Sequence, residues 1–147
     1  MIPAPVKSVL FSALSVLAIT ACGDEIDPVS PVADVLVREE LNLNSVAAQP
    51  LRFRDGAAVT IPGGIRGIVV YKKSGDQYRA FERFSPHRMQ DSCGALVAPP
   101  HFFYMEDTCH GCRFDWEGRP VAGPCRSLLK TYRVQFMNEF TLLITNP

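Results

Sequence analysis

The sequence predicts an all-β domain, a sandwich or barrel of about seven to ten short strands. Three observations lead there. Past the first 25 residues no long stretch keeps a helical apolar period, and short β-branched or aromatic runs alternate with turn signals instead. Prolines are numerous, 12 in all, and sit with glycines at the ends of those runs. The length, 147 residues, suits one domain. Charge is balanced at 15 basic and 15 acidic side chains, so no basic face is offered to a nucleic acid, and none is expected as a partner.

Each element follows from its residues. Residues 32–43 place Val35, Val37 and Leu41 at odd positions and read as a strand, with 45–50 as a connector. Residues 57–61 are a short strand closed by Pro62-Gly63-Gly64. Ile68, Val69, Val70 and Tyr71 in a row make 67–73 the clearest strand, apolar enough to be buried on both faces. A turn at Ser74-Gly75-Asp76 leads into a returning strand, 77–84, whose Tyr78, Ala80, Phe81 and Phe84 suggest a mostly buried face. Glu82 and Arg83 on that strand are expected to face water. Residues 102–105 form another strand, preceded by His101 in an exposed loop after Pro99-Pro100. Residues 113–116 and 120–121 flank a Glu117-Gly118 turn, with Trp116 packing on the hairpin. Residues 132–144 close the chain as a hairpin turning at Met137-Asn138-Glu139.

The N-terminus reads as a targeting segment. Lys7 supplies a small positive region, and residues 9–21 are an apolar, small-residue run too short to span a bilayer. The run ends in Ile19-Thr20-Ala21-Cys22, which resembles the lipobox of bacterial lipoproteins. The resemblance implies cleavage before Cys22 and acylation of its thiol, so the expected partner is a lipid bilayer, gripped by about 0.8 kcal/mol per buried methylene. Gly23 after the lipidated cysteine leans toward the outer membrane of a bacterial envelope, and the acidic residues beyond it resemble a surface-export signal of Bacteroidota lipoproteins. The organisation is then a signal peptide over 1–21, an acidic, proline-bearing tether over 22–31 and a β domain over 32–147.

With Cys22 used by lipid, Cys93, Cys109, Cys112 and Cys125 remain, an even number in an oxidising compartment, which favours two disulfides with three pairings open. Three of these four lie in the densest stretch of chemistry, residues 107–125. Cys109-His110-Gly111-Cys112 has the spacing of a thioredoxin-type redox motif, but that needs a helix beginning at the first cysteine, and 113–118 reads as strand and turn. Cys109 and Cys112 with the histidines have the ligand types for zinc, although neighbours such as Cys109 and His110 seldom bind one ion. His87, His110 and Asp107 have the ligand types of a mononuclear site. The bland alternative leaves His87 and His110 as polar residues of a closed loop. No Ser/His/Asp constellation and no glycine-rich phosphate loop stands in a local motif, so nothing assigns a catalytic residue.

A family resemblance joins these parts. Phe81-Glu82-Arg83-Phe84-Ser85-Pro86-His87-Arg88 resembles the first cluster-binding loop of Rieske [2Fe-2S] domains, of the form Cys-x-His. Residues 108–115, Thr108-Cys109-His110-Gly111-Cys112-Arg113-Phe114-Asp115, resemble the second loop, and 118–124 the hairpin and Gly-Pro loop that covers the cluster. The likeness is to Rieske-like lipoproteins of the Bacteroidota, and it implies a Rieske-like β-sandwich or barrel with a small inserted loop subdomain. A Rieske centre needs two thiolates on one iron and two imidazoles on the other. Laid on that pattern, His87 and His110 are kept, while Ser85 and Asp107 stand at the two cysteine positions. Serine stays protonated and aspartate does not replace a thiolate, so the expectation is a vestigial set, Ser85, His87, Asp107 and His110, with no cofactor. The alternative is a [2Fe-2S] cluster or a single metal ion in an electron-transfer protein or oxidoreductase component. The resemblance also implies the pairings: Cys93 with Cys109, as the clamp between the two loops, and Cys112 with Cys125. The expected function is a membrane-anchored envelope module, stabilised by disulfides, for binding or structure.

Overall fold

The computed structural model describes residues 26–100 and 102–147; the expected signal peptide, Cys22 and His101 lie outside the described residues. Among the described residues, ten strands and one short α-helix follow in order: β1 (Arg38–Asn42), α1 (Gln49–Phe53), β2 (Ala58–Ile61), β3 (Ile68–Ser74), β4 (Gln77–Glu82), β5 (Leu96–Val97), β6 (Met105–Asp107), β7 (Cys112–Phe114), β8 (Pro120–Ala122), β9 (Thr131–Asn138) and β10 (Thr141–Thr145). Six strands form one curled sheet in the order β1-β10-β9-β4-β3-β2, and four form a second in the order β5-β6-β7-β8. Each neighbouring pair is antiparallel. The smaller sheet is inserted in the chain between β4 and β9, as the all-β reading with an inserted subdomain anticipates.

Strand β3 joins the two halves. Successive side chains of a strand point to opposite faces, and both faces of β3 are covered. Ile68 and Val70 pack into a core with Val37, Leu41, Leu51, Leu142 and Ile144. Val69 and Tyr71 pack into a second core with Phe81, Leu96, Met105, Phe114 and Trp116. That explains why Ile68 to Tyr71 are apolar at every position, where an alternating pattern is the rule for a sheet wetted on one side. Trp116 stacks flat on Tyr71, ring centroids 4.1 Å apart, and so packs the second core as its hairpin position suggests.

Several local expectations are corrected. The connector at 45–50 contains a turn of 3-10 helix, Val46–Ala48, and leads into α1, where Pro50 near the helix start costs no hydrogen bond and Leu51 plugs the first core. The strand expected at 102–105 begins only at Met105 and runs to Asp107, because Phe102 and Phe103 are exposed while Met105 and Asp107 are buried and paired with β7. The last hairpin turns about Glu139 and Phe140, between Asn138 and Thr141. Glu82 does not face water. It is fully buried, and its carboxylate accepts from the backbone N–H groups of Ile65, Arg66 and Phe84 and from the Tyr132 hydroxyl at 2.7 to 3.0 Å. Arg83 is half-buried and donates to the Leu96 carbonyl at 2.9 Å. A buried charge is tolerable only when hydrogen-bonded in this way, and the pair ties the end of β4 to the 63–66 loop and to β5.

Both disulfides are formed, Cys93–Cys109 and Cys112–Cys125, in the pairing that the resemblance implies. The inner bond, Cys112–Cys125, lies in the second core. Beside it the chain passes so closely that a side chain at Gly123, whose φ is +87°, would meet the Gly111 carbonyl at 2.3 Å. Only glycine accepts both the contact and the conformation. The outer bond, Cys93–Cys109, is exposed and joins the 85–95 loop to the β6–β7 turn.

Candidate functional site

The β6–β7 turn is built by Asp107. Its buried carboxylate sits at the end of β6, and Oδ1 accepts from the backbone N–H of Cys109 at 3.0 Å and of His110 at 3.3 Å. Short acceptors two and three residues upstream are what fold such a turn. Its backbone carbonyl accepts from Gly111 N–H at 2.8 Å, and Gly111, at φ +73°, turns the chain into β7. The curl brings His110 back over Asp107, so that His110 Nδ1 lies 2.8 Å from Asp107 Oδ2.

The facing loop, 85–95, is closed by its own backbone, with Ser85 N–H donating to the Gly94 carbonyl at 2.8 Å. Arg66 holds it from outside by donating to the Ser92 carbonyl at 2.6 Å and to the Asp91 carbonyl at 3.3 Å. The four residues singled out in the sequence converge here. Ser85 and Asp107 are both fully buried and adjoin each other, and the Ser85 hydroxyl accepts from the His87 N–H at 3.3 Å. The His87 and His110 rings meet edge to face, centroids 5.3 Å apart. Gly94 packs over the group: a Cβ there would come 3.4 Å from Ser85 Cβ, 3.8 Å from His110 Cε1 and 3.9 Å from Asp107 Oδ2.

Asp91 completes the site, and no sequence signal marks it. Its Oδ2 lies 3.0 Å from His110 Nε2, so both ring nitrogens of His110 face carboxylates. The hydrogen bond to Asp91, then that to Asp107, raise the His110 imidazole above its usual value, against the opposing effect of burial. Burial pushes the Asp107 carboxyl up, but hydrogen bonds from Ser85, the His110 ring and the His110 and Cys109 backbone outweigh it and hold the group below the usual carboxylate range. The arrangement is a carboxylate–imidazole–carboxylate chain running from the buried Asp107 to the half-exposed Asp91.

Other candidate ligand sets come apart. Cys112 is bonded to Cys125 in the core, so it joins neither a Cys-x-x-Cys redox pair nor a zinc set with Cys109, and strand β7 rather than a helix follows it. Asp107 is buried and bonds His110 instead of standing with the histidines around a space. His110 Nε2 also lies 3.6 Å from Cys109 Sγ, closer than neighbours in an extended chain come, because of the curl at Gly111.

No protein-family model matches the chain, and no curated protein matches it. Among solved structures, the chain is similar to the ferredoxin of carbazole 1,9a-dioxygenase from Nocardioides aromaticivorans IC177, at 20% identity and a TM-score of 0.50, over 78% of this chain and 100% of that one. It is also similar to a protein from Mycobacterium tuberculosis described as a NADH-dependent nitrite reductase small subunit, at 11% identity and a TM-score of 0.47, over 78% of this chain and 98% of that one. The fold is Rieske-like, all-β, with the four-stranded sheet as its inserted unit. At this identity the likeness speaks for the fold alone.

Proposed function

We propose that this chain is a lipid-anchored protein of a bacterial cell envelope whose Rieske-like domain has given up its iron–sulfur cluster and serves as a disulfide-stabilised module for binding or structure. The observation that carries the reading is Asp107: at a position where a cluster thiolate belongs, its fully buried carboxylate is committed to the His110 ring at 2.8 Å and to two backbone N–H groups of its own turn. A carboxylate committed in this way, with only the Ser85 hydroxyl buried beside it, offers no pair of thiolates to an iron. The donor chemistry agrees: a neutral hydroxyl and a carboxylate already held by three hydrogen bonds do not substitute for two thiolates. His110 is turned to carboxylates through both nitrogens. These residues do not fit a [2Fe-2S] cluster. What remains is a pair of loops clamped by Cys93–Cys109 and backed by Cys112–Cys125. The membrane part of the reading rests on Ile19-Thr20-Ala21-Cys22, with Cys22 as the acylated residue and the outer membrane as the site.

The test is colour. Full-length protein purified gently in detergent is expected to be colourless, with no stoichiometric iron by elemental analysis and no iron–sulfur EPR signal after reduction. Iron at two atoms per chain with visible absorption would establish the alternative, an electron-transfer protein.

A further inference from the structure

The exposed disulfide has a neighbour that the inner one lacks. Cys93 Sγ, Cys109 Sγ and a ring nitrogen of His110 all lie within 4.8 Å of one another. We propose that reduction of the Cys93–Cys109 disulfide opens a zinc site, with Cys93 Sγ, Cys109 Sγ and His110 Nε2 as its protein ligands and a water in the fourth position. The proposal rests on the cluster-free reading, since a cluster would claim His110.

The geometry supports zinc in particular. Around a tetrahedral zinc with Zn–S near 2.3 Å and Zn–N near 2.0 Å, a sulfur and a nitrogen sit about 3.5 Å apart. Cys109 Sγ and His110 Nε2 are already 3.6 Å apart. The curl of the turn at Gly111 thus overcomes the usual difficulty of using adjacent residues on one ion. To span the same ion the two sulfurs need only part by about 2 Å.

The second layer is also in place. Histidines that bind zinc commonly donate their other ring N–H to a carboxylate, which fixes the ring and its tautomer. Asp107, fully buried, holds His110 Nδ1 at 2.8 Å and leaves Nε2 for the ion. Asp91, the present partner of Nε2, has a side chain 37% exposed and is free to swing into solvent. The inner disulfide is buried in the apolar second core, out of reach of a reductant, so it stays closed.

The chemistry balances with a dithiol as reductant. Its thiolate attacks Cys93 Sγ, the Cys93–Cys109 bond breaks, and the electron pair leaves on Cys109 Sγ beside His110. The second thiol of the reductant then displaces Cys93 as a thiolate and closes the reductant's own disulfide. Two electrons pass to the protein, zinc takes both thiolates, and the two protons of the dithiol go to water.

The test uses the full-length protein in detergent, oxidised or treated with a phosphine reductant, and cobalt(II) as the spectroscopic probe for zinc. Mass spectrometry is expected to show two added hydrogen atoms, with Cys112–Cys125 intact. The reduced protein should then bind one cobalt per chain, with thiolate-to-cobalt charge transfer and the visible bands of a tetrahedral site, and zinc should displace it. The oxidised protein should bind at least 100-fold more weakly. His110→Ala should abolish the tetrahedral bands, and Asp107→Asn should weaken zinc about 10- to 100-fold. A folded reduced protein without these bands would overturn the proposal, as would bands that persist in His110→Ala. If reduction unfolds the chain, recovery of its far-UV circular dichroism on adding zinc supports the site, and no recovery overturns it. Iron found in the untreated protein would instead refute the cluster-free reading, so the two failures are distinct.

Discussion

At the scale of the residue, Asp107 decides the character of the site. It is hydrogen-bonded to the His110 ring and accepts from two backbone N–H groups, all at a position closed to water. Hydrogen bonds to a charged group are worth about 1.5 to 3 kcal/mol in stability, so Asp107→Asn should destabilise the oxidised protein by that much, measured by urea unfolding. The cost should depend on pH in a defined sense. A carboxyl whose folded value is depressed contributes stability that is complete above its unfolded value, about 3.9, and lost as pH falls through the lower folded value. An imidazole whose folded value is raised contributes below its unfolded value, about 6.5, and loses that contribution as pH rises through the folded value. Asp107 is the first kind and His110 the second. The gap between the wild-type chain and Asp107→Asn should therefore be widest between about pH 4 and 6.5 and narrow on both sides. A gap that stays flat from pH 3 to pH 9 would mean that the pair is not ionised as described.

At the scale of the element, the two disulfides close similar loops, with sequence separations of 16 and 13, and the chain-entropy model gives each about 3 kcal/mol. Packing separates them. Cys112 and Cys125 are 0% and 5% exposed, so the double variant Cys112→Ala/Cys125→Ala loses core contacts as well as the cross-link. Cys93 and Cys109 are exposed, and their double alanine variant should lose little beyond the cross-link. The inner double variant should thus show the lower urea midpoint of the two, and the reverse order would contradict the layered core. This level of structure was largely legible in the sequence. The strand runs around β2, β3, β4 and the last hairpin follow from apolar runs and turn residues, and the disulfide pairing follows from the loop resemblance. What was not legible depends on contacts distant in the chain. Asp91 lies in a polar stretch without period, and only the clamp and the closed loop bring it to His110. Glu82 alternates like a solvent-facing residue, yet it is buried because the 63–66 loop and Tyr132 fold over it with donors. Strand β5, two residues long, has too little pattern to be seen.

At the scale of the whole molecule, the proposed anchoring would let the tether set how the domain meets a membrane. Asp27 bridges Ser127 in parallel, its N–H donating to the Arg126 carbonyl at 2.9 Å and its carbonyl accepting from Leu128 N–H at 3.3 Å. Under the proposed anchoring, only four residues, 23–26, lie between the acylated Cys22 and this bridge, a reach of five residue steps. At about 3.5 Å per residue even a fully extended segment spans no more than about 17 Å. The domain would then be held against the headgroups by the side that carries 126–128, leaving little freedom to swing away. Two measurements follow. Cys22→Ser should move the protein from the membrane to the soluble fraction and remove the acyl mass, because the acyl chains are the whole of the proposed grip. A fluorophore placed at Val29, 67% exposed and two residues past the bridge, should transfer energy strongly to dye-labelled lipid headgroups in reconstituted vesicles. Inserting a flexible Gly/Ser segment of about 20 residues after Gly23 adds a mean span of roughly 25 Å and should reduce that transfer severalfold without releasing the protein. Transfer that is weak in the native-length protein, or unchanged by the insertion, would show that the Asp27 bridge does not govern the distance. Retention of the Cys22→Ser variant in the membrane would place the anchor elsewhere in the chain.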